Sequence, residues 1–490
     1  MPMCVLPLQR ARVPRVLVLA LSLCLALPGA SQDLPDLGEA SQSSLSPQKE
    51  RRIGELIMRD IRRDSEFLDD PELTEYVESI GRRLVAVSPD SRQDFEFFLI
   101  RDNTINAFAM PGGFVGVHSG LITSAQAESE LAGVLAHEVA HVTQRHIARQ
   151  IEKQGQLQIA AIAGLVVALL AARSNPQVSQ AAIATSQAGV IQASLNYSRD
   201  YEREADRVGF LLLEQSGYDV NGMPAFFGRL QRATRLIENN APAYLRTHPL
   251  TTERMADLDN RAANVRYRQR TDSKEFYLVR AKLRAMQGAP REAVTALEAQ
   301  VRERRFIDEG AAHYGLAYAL HRARDFKRAD MALVEARRLL GPHPMLDTLT
   351  AEIRVAQGQG REARDILAQS VKDNQRRPYL LYAYADLLQT QGQHREALTV
   401  LDELVKARPS DTRVYGMQAK AYANLGRRAL QHRSQAEVYA LQGSFPAAIE
   451  QLRLAQRAGD ADFYLSSSID ARARALRAQE QQEKKDGKPF

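Results

Sequence analysis

The second half of the chain repeats itself. Gln357-Gly358-Gln359-Gly360-Arg361-Glu362-Ala363 returns as Gln391-Gly392-Gln393-His394-Arg395-Glu396-Ala397, a shift of 34 residues, and a Leu425-Gly426 turn lies 34 further on. Upstream, Gln287-Gly288-Ala289-Pro290-Arg291-Glu292-Ala293 opens the same pattern, with Arg324-Asp325-Phe326 at the turn between. A unit of two amphipathic helices joined by a glycine turn cannot bury its apolar face alone, and only stacking on a neighbour covers it. Beyond about residue 270 the chain is thus confined to stacked helix pairs, an α-solenoid. Four units are expected, and five if the turn at Gly443 marks another. Chance periodicity in Ala-rich helices does not account for a repeated heptapeptide.

The period and the tyrosines on the helix before each turn (Tyr318, Tyr382, Tyr384, Tyr422) resemble the tetratricopeptide repeat. At 490 residues the chain is too long for one ordinary core. Residues 1–30 carry Arg10, Arg12 and Arg15 before an apolar run from Val16 to Leu27, then Pro28, Gly29 and Ala30. That describes a secretory signal peptide, too short to span a bilayer as a stable helix, with an uncleaved anchor as the alternative. Both cysteines, Cys4 and Cys24, fall inside it, so the mature chain has no thiol and no disulfide framework. The formal charge of +6 falls to +3 without the three leader arginines, which gives no case for nucleic acid.

Residues 31–46, rich in Ser, Gln, Asp and Pro, read as a flexible N-terminus. Helical spacing of Ile53, Leu56 and Ile57, and of Leu73, Val77, Ile80 and Leu84, predicts two helices between Pro47 and Val87, the second starting at Asp70-Pro71. An aromatic strand over 95–100 is followed by Ala107 to Met110, a Pro111-Gly112-Gly113 turn and Phe114 to Val117, which predicts an antiparallel hairpin. Helix is expected from Gln126 onward. Ile159 to Ala172 is apolar throughout but shorter than a bilayer span. It is expected as a core or lid helix, with peripheral contact to a membrane as the alternative.

The chemistry centres on His137-Glu138-Val139-Ala140-His141. On a helix, two histidines four apart share a face, so both imidazoles reach one zinc ion while Glu138 stands ready for the proton of a water. Such a match is expected by chance on the order of 0.01 times in a chain of this composition. His146 lies one position off the i, i+4 ladder and is expected outside the metal shell. A catalytic zinc needs a third protein ligand and an open position. Glu202 and Asp206, four apart in Ser198 to Asp206, share a helix face, which lets Glu202 ligate while Asp206 accepts a ring N–H of a coordinating histidine. A salt-bridged surface helix fits the same spacing.

Asn106 to Gly113, the His-Glu-x-x-His helix, the Ser-Arg-x-x-Glu-x-x-x-Asp segment, and Thr247-His248-Pro249 followed by Glu253-Arg254 together resemble the zinc proteases related to the CAAX prenyl protease and HtpX. With a leader in front and repeats behind, the similarity is to periplasmic members of that group. The resemblance implies one Zn2+ per chain on His137, His141 and Glu202, with Glu138 and Asp206 catalytic and Arg254 near the site. It also implies a role in outer-membrane protein quality control.

Two further residue sets are read physically. Strand Phe114, Val115, Gly116 and Val117 is expected as an edge that takes an extended substrate, with plain core pairing as the alternative. His248 is expected either to stabilise an oxyanion or to fill zinc's fourth position and make a latent enzyme, with a helix-capping loop as the plain alternative.

The fold class expected is mainly α. A helical zinc-metalloprotease domain with a small β-hairpin or sheet (47–268) precedes an α-solenoid of tetratricopeptide repeats (269–470) and a charged tail (471–490). The expected function is a periplasmic zinc metalloendopeptidase that degrades misassembled or unfolded outer-membrane proteins, its repeats holding substrate or docking on the barrel assembly machinery. The alternative is a chaperone-like interaction protein whose peptidase is latent or minor.

Overall fold

The computed structural model describes residues 45–89, 93–154, 199–235, 242–266 and 270–485. The leader, residues 31–44 and the apolar segment Ile159 to Ala172 lie outside them. Among the described residues no helix is long and apolar enough to cross a membrane.

Helix α1 (Pro47–Ile61) starts at Ser46, whose side chain accepts from Lys49 N, and α2 (Pro71–Val85) starts at Asp70, which accepts from Glu72 N and Leu73 N. Each has Pro in its first turn, where the missing N–H costs nothing. A three-stranded sheet follows, with β1 (Glu96–Ile100), β2 (Ala107–Met110) and β3 (Phe114–His118) in the order β1-β3-β2. The β2–β3 pair is the antiparallel hairpin, with Met110 opposite Phe114, whereas β1 runs parallel to β3, Glu96 opposite Phe114.

This order corrects one expectation. Phe114, Val115, Gly116 and Val117 lie on the central strand, paired on both sides and buried throughout, so they offer no free edge. The physical signal was in the residues: an unbroken apolar run suits a strand covered on both faces, and an edge favours alternation. Strand β2, half-buried at Phe108 and Ala109, stands at the edge of the sheet.

Beyond α3 (Ser119–Ser124), α4 (Glu128–Thr143) is buried along its length from Ser129 to Val142. Helices α5 (His146–Gln154), α6 (Arg199–Gln215), α7 (Gly222–Arg235), α8 (Ala243–Thr247) and α9 (Thr252–Asn264) complete this half. Small residues let α4 be approached closely. A Cβ on Gly133 would sit 3.0 Å from Met223 Cα on α7, and one on Gly209 of α6 would sit 3.0 Å from His137 N.

The repeats form six helix pairs among the described residues. They are α10 (Lys274–Ala285) with α11 (Pro290–Arg302), α12 (Glu309–Arg322) with α13 (Phe326–Leu340), and α14 (Pro344–Ala356) with α15 (Gly360–Asp373). Then come α16 (Pro378–Thr390) with α17 (His394–Ala407), α18 (Thr412–Asn424) with α19 (Arg428–Leu441), and α20 (Phe445–Arg457) with α21 (Phe463–Lys485). The turns inside the pairs fall at Gly288, Arg324, Gly358, Gly392, Gly426 and Gly459, all with positive φ. That conformation is why glycine recurs there, and Arg324 adopts it without glycine's freedom. Gly443, half a period after Gly426, makes the same turn between α19 and α20, with Gly443 N donating to Ala440 O and Ser444 N to Tyr439 O as Gly426 N and Arg427 N donate to Ala423 O and Tyr422 O, so α19 packs on both of its neighbours. Residues 471–485 of the expected tail continue α21.

Helix α2 lies between the two halves. One side packs on α4 and the other against first helices of the repeats. Its acids meet a ladder of donors: Lys282 Nζ lies 2.8 Å from Asp70 and 2.7 Å from Glu72, and Thr348 donates to Glu72 at 2.9 Å. Farther along, Arg377 donates to Glu75 at 2.7 Å, Arg408 to Glu78 at 2.7 Å, and Arg413 pairs with Asp69. Apolar packing is likewise continuous, one buried cluster running from Leu68 to Val414.

Candidate metal centre

His137 and His141 sit one turn apart on α4, their Nε2 atoms 3.0 Å from each other. Glu202 arrives from α6, with Oε2 3.4 Å from His137 Nε2 and Oε1 3.4 Å from His141 Nε2. His248 follows the end of α8; its Nδ1 is 3.0 Å from Glu202 Oε1 and 3.3 Å from His137 Nε2. The four donor atoms lie within 4.8 Å of one another, and all four residues are buried.

A second layer grips the first. Asp206 Oδ1 is 3.0 Å from His137 Nδ1, which directs the Nε2 lone pair toward the cluster. Arg254 holds the carboxylates apart, donating to Asp206 at 2.6 and 2.8 Å and lying 2.7 Å from Glu202 Oε2. Arg254 also donates to Pro249 O at 2.7 Å, tying the His248 loop to the same hub. Thr251, not His248, caps α9 by accepting from Arg254 N, while His248 turns inward and stacks on Tyr244 with ring centres 4.7 Å apart.

These contacts set the electrostatics. Burial opposes a charge on His137, yet its bonds to Asp206 and Glu202 push its pKa up to about 9. For His141 burial prevails and holds the imidazole well below its ordinary value. Burial also disfavours the Glu202 carboxylate, but the charge of His248 and hydrogen bonds from His137 and His141 keep it far below its usual range. Three imidazoles and one ionised carboxylate in a dry enclosure are a demand for positive charge. Nitrogen and oxygen donors of this kind suit a divalent cation such as zinc. Both oxygens of the buried Glu138 lack a hydrogen-bond partner, which suits a carboxylate waiting for water at a metal.

The structure thus gathers His137, Glu138, His141, Glu202, Asp206, His248 and Arg254 in one place, and leaves Phe114 to Val117 in the sheet. His146 stands outside the four-residue cluster, as expected, but sequence spacing missed its contact with His141. Arg145, at φ 52, breaks the helix and swings His146 back, so that its Nδ1 lies 2.8 Å from His141 Nδ1.

A His-Glu-x-x-His helix meeting a carboxylate from a second helix, with stacked repeats behind, defines a metallopeptidase joined to a repeat module. Comparison with known proteins agrees. The profile of Peptidase family M48 matches residues 71–262, and that of the tetratricopeptide repeat matches 354–421. The chain is 34% identical to the Putative beta-barrel assembly-enhancing protease of Vibrio cholerae, over 94% of this chain and 96% of that one. It is 33% identical to the Beta-barrel assembly-enhancing protease of Escherichia coli, over 92% and 93%. The Mitochondrial metalloendopeptidase OMA1 of Schizosaccharomyces pombe is 33% identical over 38% of this chain and 52% of its own length. The chain belongs to the beta-barrel assembly-enhancing proteases, metalloendopeptidases of family M48 that carry tetratricopeptide repeats.

Proposed function

We propose that the chain is a secreted periplasmic zinc endopeptidase that cuts misassembled or unfolded outer-membrane proteins, with its repeats engaging substrate or the barrel assembly machinery. The observation that carries this reading is the convergence of His137, His141 and Glu202 beside the buried carboxylate of Glu138, which faces His248 Nε2 at 3.5 Å. The names of the relatives support the envelope assignment.

In this reading His137, His141 and Glu202 hold one Zn2+, and Asp206 and Arg254 fix the tautomer of His137 and the position of Glu202. Zinc, when bound, supplies Lewis acidity that polarises a peptide carbonyl and acidifies water. A Glu138 carboxylate oxygen takes the proton of the attacking water and passes it to the departing amide nitrogen. An extended substrate adds at the edge offered by β2, where main-chain pairing gives breadth of sequence. His248 occupies the position a substrate carbonyl needs, so the enzyme rests in a latent form and is activated when the Tyr244 to Pro249 loop withdraws.

The closure by His248 also favours a second reading, in which the repeats' binding dominates and peptidase activity is minor. Casein digestion separates the two. Glu138→Gln removes the base and keeps every proposed ligand, so wild type should digest casein and the variant should not. Equal digestion by both refutes the enzymatic site. Zinc content of wild type against Glu202→Ala tests the third ligand.

A further inference from the structure

We infer that His146 is a positioning residue for the metal centre, orienting His141 as Asp206 orients His137. This rests on reading the buried cluster as a metal site. The argument is one of proton bookkeeping along a chain of atoms.

His141 directs Nε2 at Glu202 and His137, so a metal-binding His141 must keep its lone pair there and carry its proton on Nδ1. That N–H faces His146 Nδ1 at 2.8 Å. His146 Nδ1 must then accept, which places the His146 proton on Nε2. At 3.1 Å from that atom stands Glu204 Oε2, which can only accept while ionised. Arg149 donates to the same oxygen at 2.8 Å and keeps the carboxylate charged. Each atom has one consistent role, and reversing either tautomer sets two N–H groups or two lone pairs against each other.

The surroundings are built for this arrangement. His146 is fully buried, and its ring stacks on Tyr201 with centres 4.7 Å apart and planes 12° apart. Arg149 lies over the same tyrosine at 4.7 Å. The kink that brings His146 back puts Arg145 in the left-handed region, which side chains other than glycine's rarely adopt. Glu50 of α1 pins Arg145 at 2.7 Å, and Arg145 also donates to Leu45 O. A strained residue held by a partner almost a hundred positions away is a device for aiming His146.

Zinc affinity of the purified chain, measured by competition with a chromogenic chelator, tests the inference. His146→Leu keeps volume but cannot accept, and should lose affinity about 10- to 100-fold. His146→Gln can accept from His141 through its amide oxygen and donate to Glu204 through its amide nitrogen, so it should restore most of the loss. Glu204→Ala, on a partly exposed residue that the fold tolerates, should lose affinity in the same direction by a smaller factor. Melting of the metal-free proteins separates this from a purely structural role, because rescue by Gln must appear in zinc affinity. Wild-type affinity in both His146→Leu and Glu204→Ala, or a Gln variant as weak as Leu, overturns the assignment. A wild-type chain that takes up no zinc overturns the metal-centre reading beneath it.

Discussion

Substituting Gly209 by alanine should damage the metal centre without touching a ligand. Gly209 is where α6, bearing Glu202 and Asp206, crosses α4, bearing both histidines. An added Cβ would meet Ala136 C, Ala136 O and His137 N, each at 3.0 Å, where ordinary contact begins at 3.4 Å. All three are backbone atoms, so no side chain can swing away, and the helices must part by about 0.4 Å. Metal–ligand distances tolerate about 0.2 Å. Overpacking of this kind costs about 1–3 kcal/mol. If that cost falls on the loaded site, zinc affinity drops about 5- to 150-fold. A second effect has the opposite sign, since alanine in a helix interior is better than glycine by about 1 kcal/mol. Melting temperature alone therefore cannot decide, and chelator competition can. Gly416→Ala on α18 is the control, because nothing lies within 4 Å of its added Cβ. It should gain stability and leave zinc unchanged. Wild-type zinc affinity and peptidase activity in Gly209→Ala would refute the claim that this crossing sets the site's geometry.

Three further outcomes are expected. His248→Ala should raise casein cleavage about 5- to 150-fold if latency is a coupling of ordinary size, and a fall in activity instead rules latency by ligation out. Lys282→Met strands Asp70 and Glu72 in a buried site without their shared cation, and should cost about 3–5 kcal/mol by denaturant unfolding. An unchanged midpoint refutes the importance of the pair, and adding Asp70→Asn with Glu72→Gln should recover much of the loss. Glu275 titrates near 2, held down first by its hydrogen bond with His343, against burial, with Arg377 adding to it. Its folded value lies below its ordinary 4.5, so its stabilisation is complete above pH 4.5 and fades as pH falls toward 2. Glu275→Gln should therefore lose less melting temperature than wild type between pH 6 and pH 3, and parallel acid limbs would contradict this.

What the sequence disclosed, and what it hid, divides along the range of the interactions. His137, Glu138 and His141 were legible because i, i+4 spacing on a helix is a local rule; the same rule put Glu202 and Asp206 on one face, but it fitted a salt-bridged surface equally well, and the family resemblance made the choice. The 34-residue period was legible because each unit solves the same packing problem, and Asp70 because capping is local too. His146 was hidden by one residue's φ, which turns an off-ladder position into a neighbour of His141. The sixth helix pair was hidden because α20 and α21 lack the Gln-Gly-x-x-Arg-Glu-Ala heptapeptide and share only the left-handed turn. Gly209 left a faint mark, a costly residue inside an amphipathic helix, whose reason appears only when α4 lies against it.

The acidic ladder on α2 was the deepest omission, and it changes what the repeats can do. Asp69, Asp70, Glu72, Glu75 and Glu78 read locally as a solvated face, because their cations come from residues 282 to 413. The Arg413–Asp69 pair, with Asp69 exposed, contributes little, about 0–1 kcal/mol. The buried Lys282 bridge is different, since separating it costs about 3–5 kcal/mol. A partner that displaced α2 from this stretch would have to offset that loss, which weakens its binding roughly 10²- to 4 × 10³-fold against a free surface. The first-helix side of the repeats between Lys282 and Arg413 is therefore a mount for the catalytic half. Because α2 also packs on α4, that mount stands one helix away from the helix that carries His137 and His141.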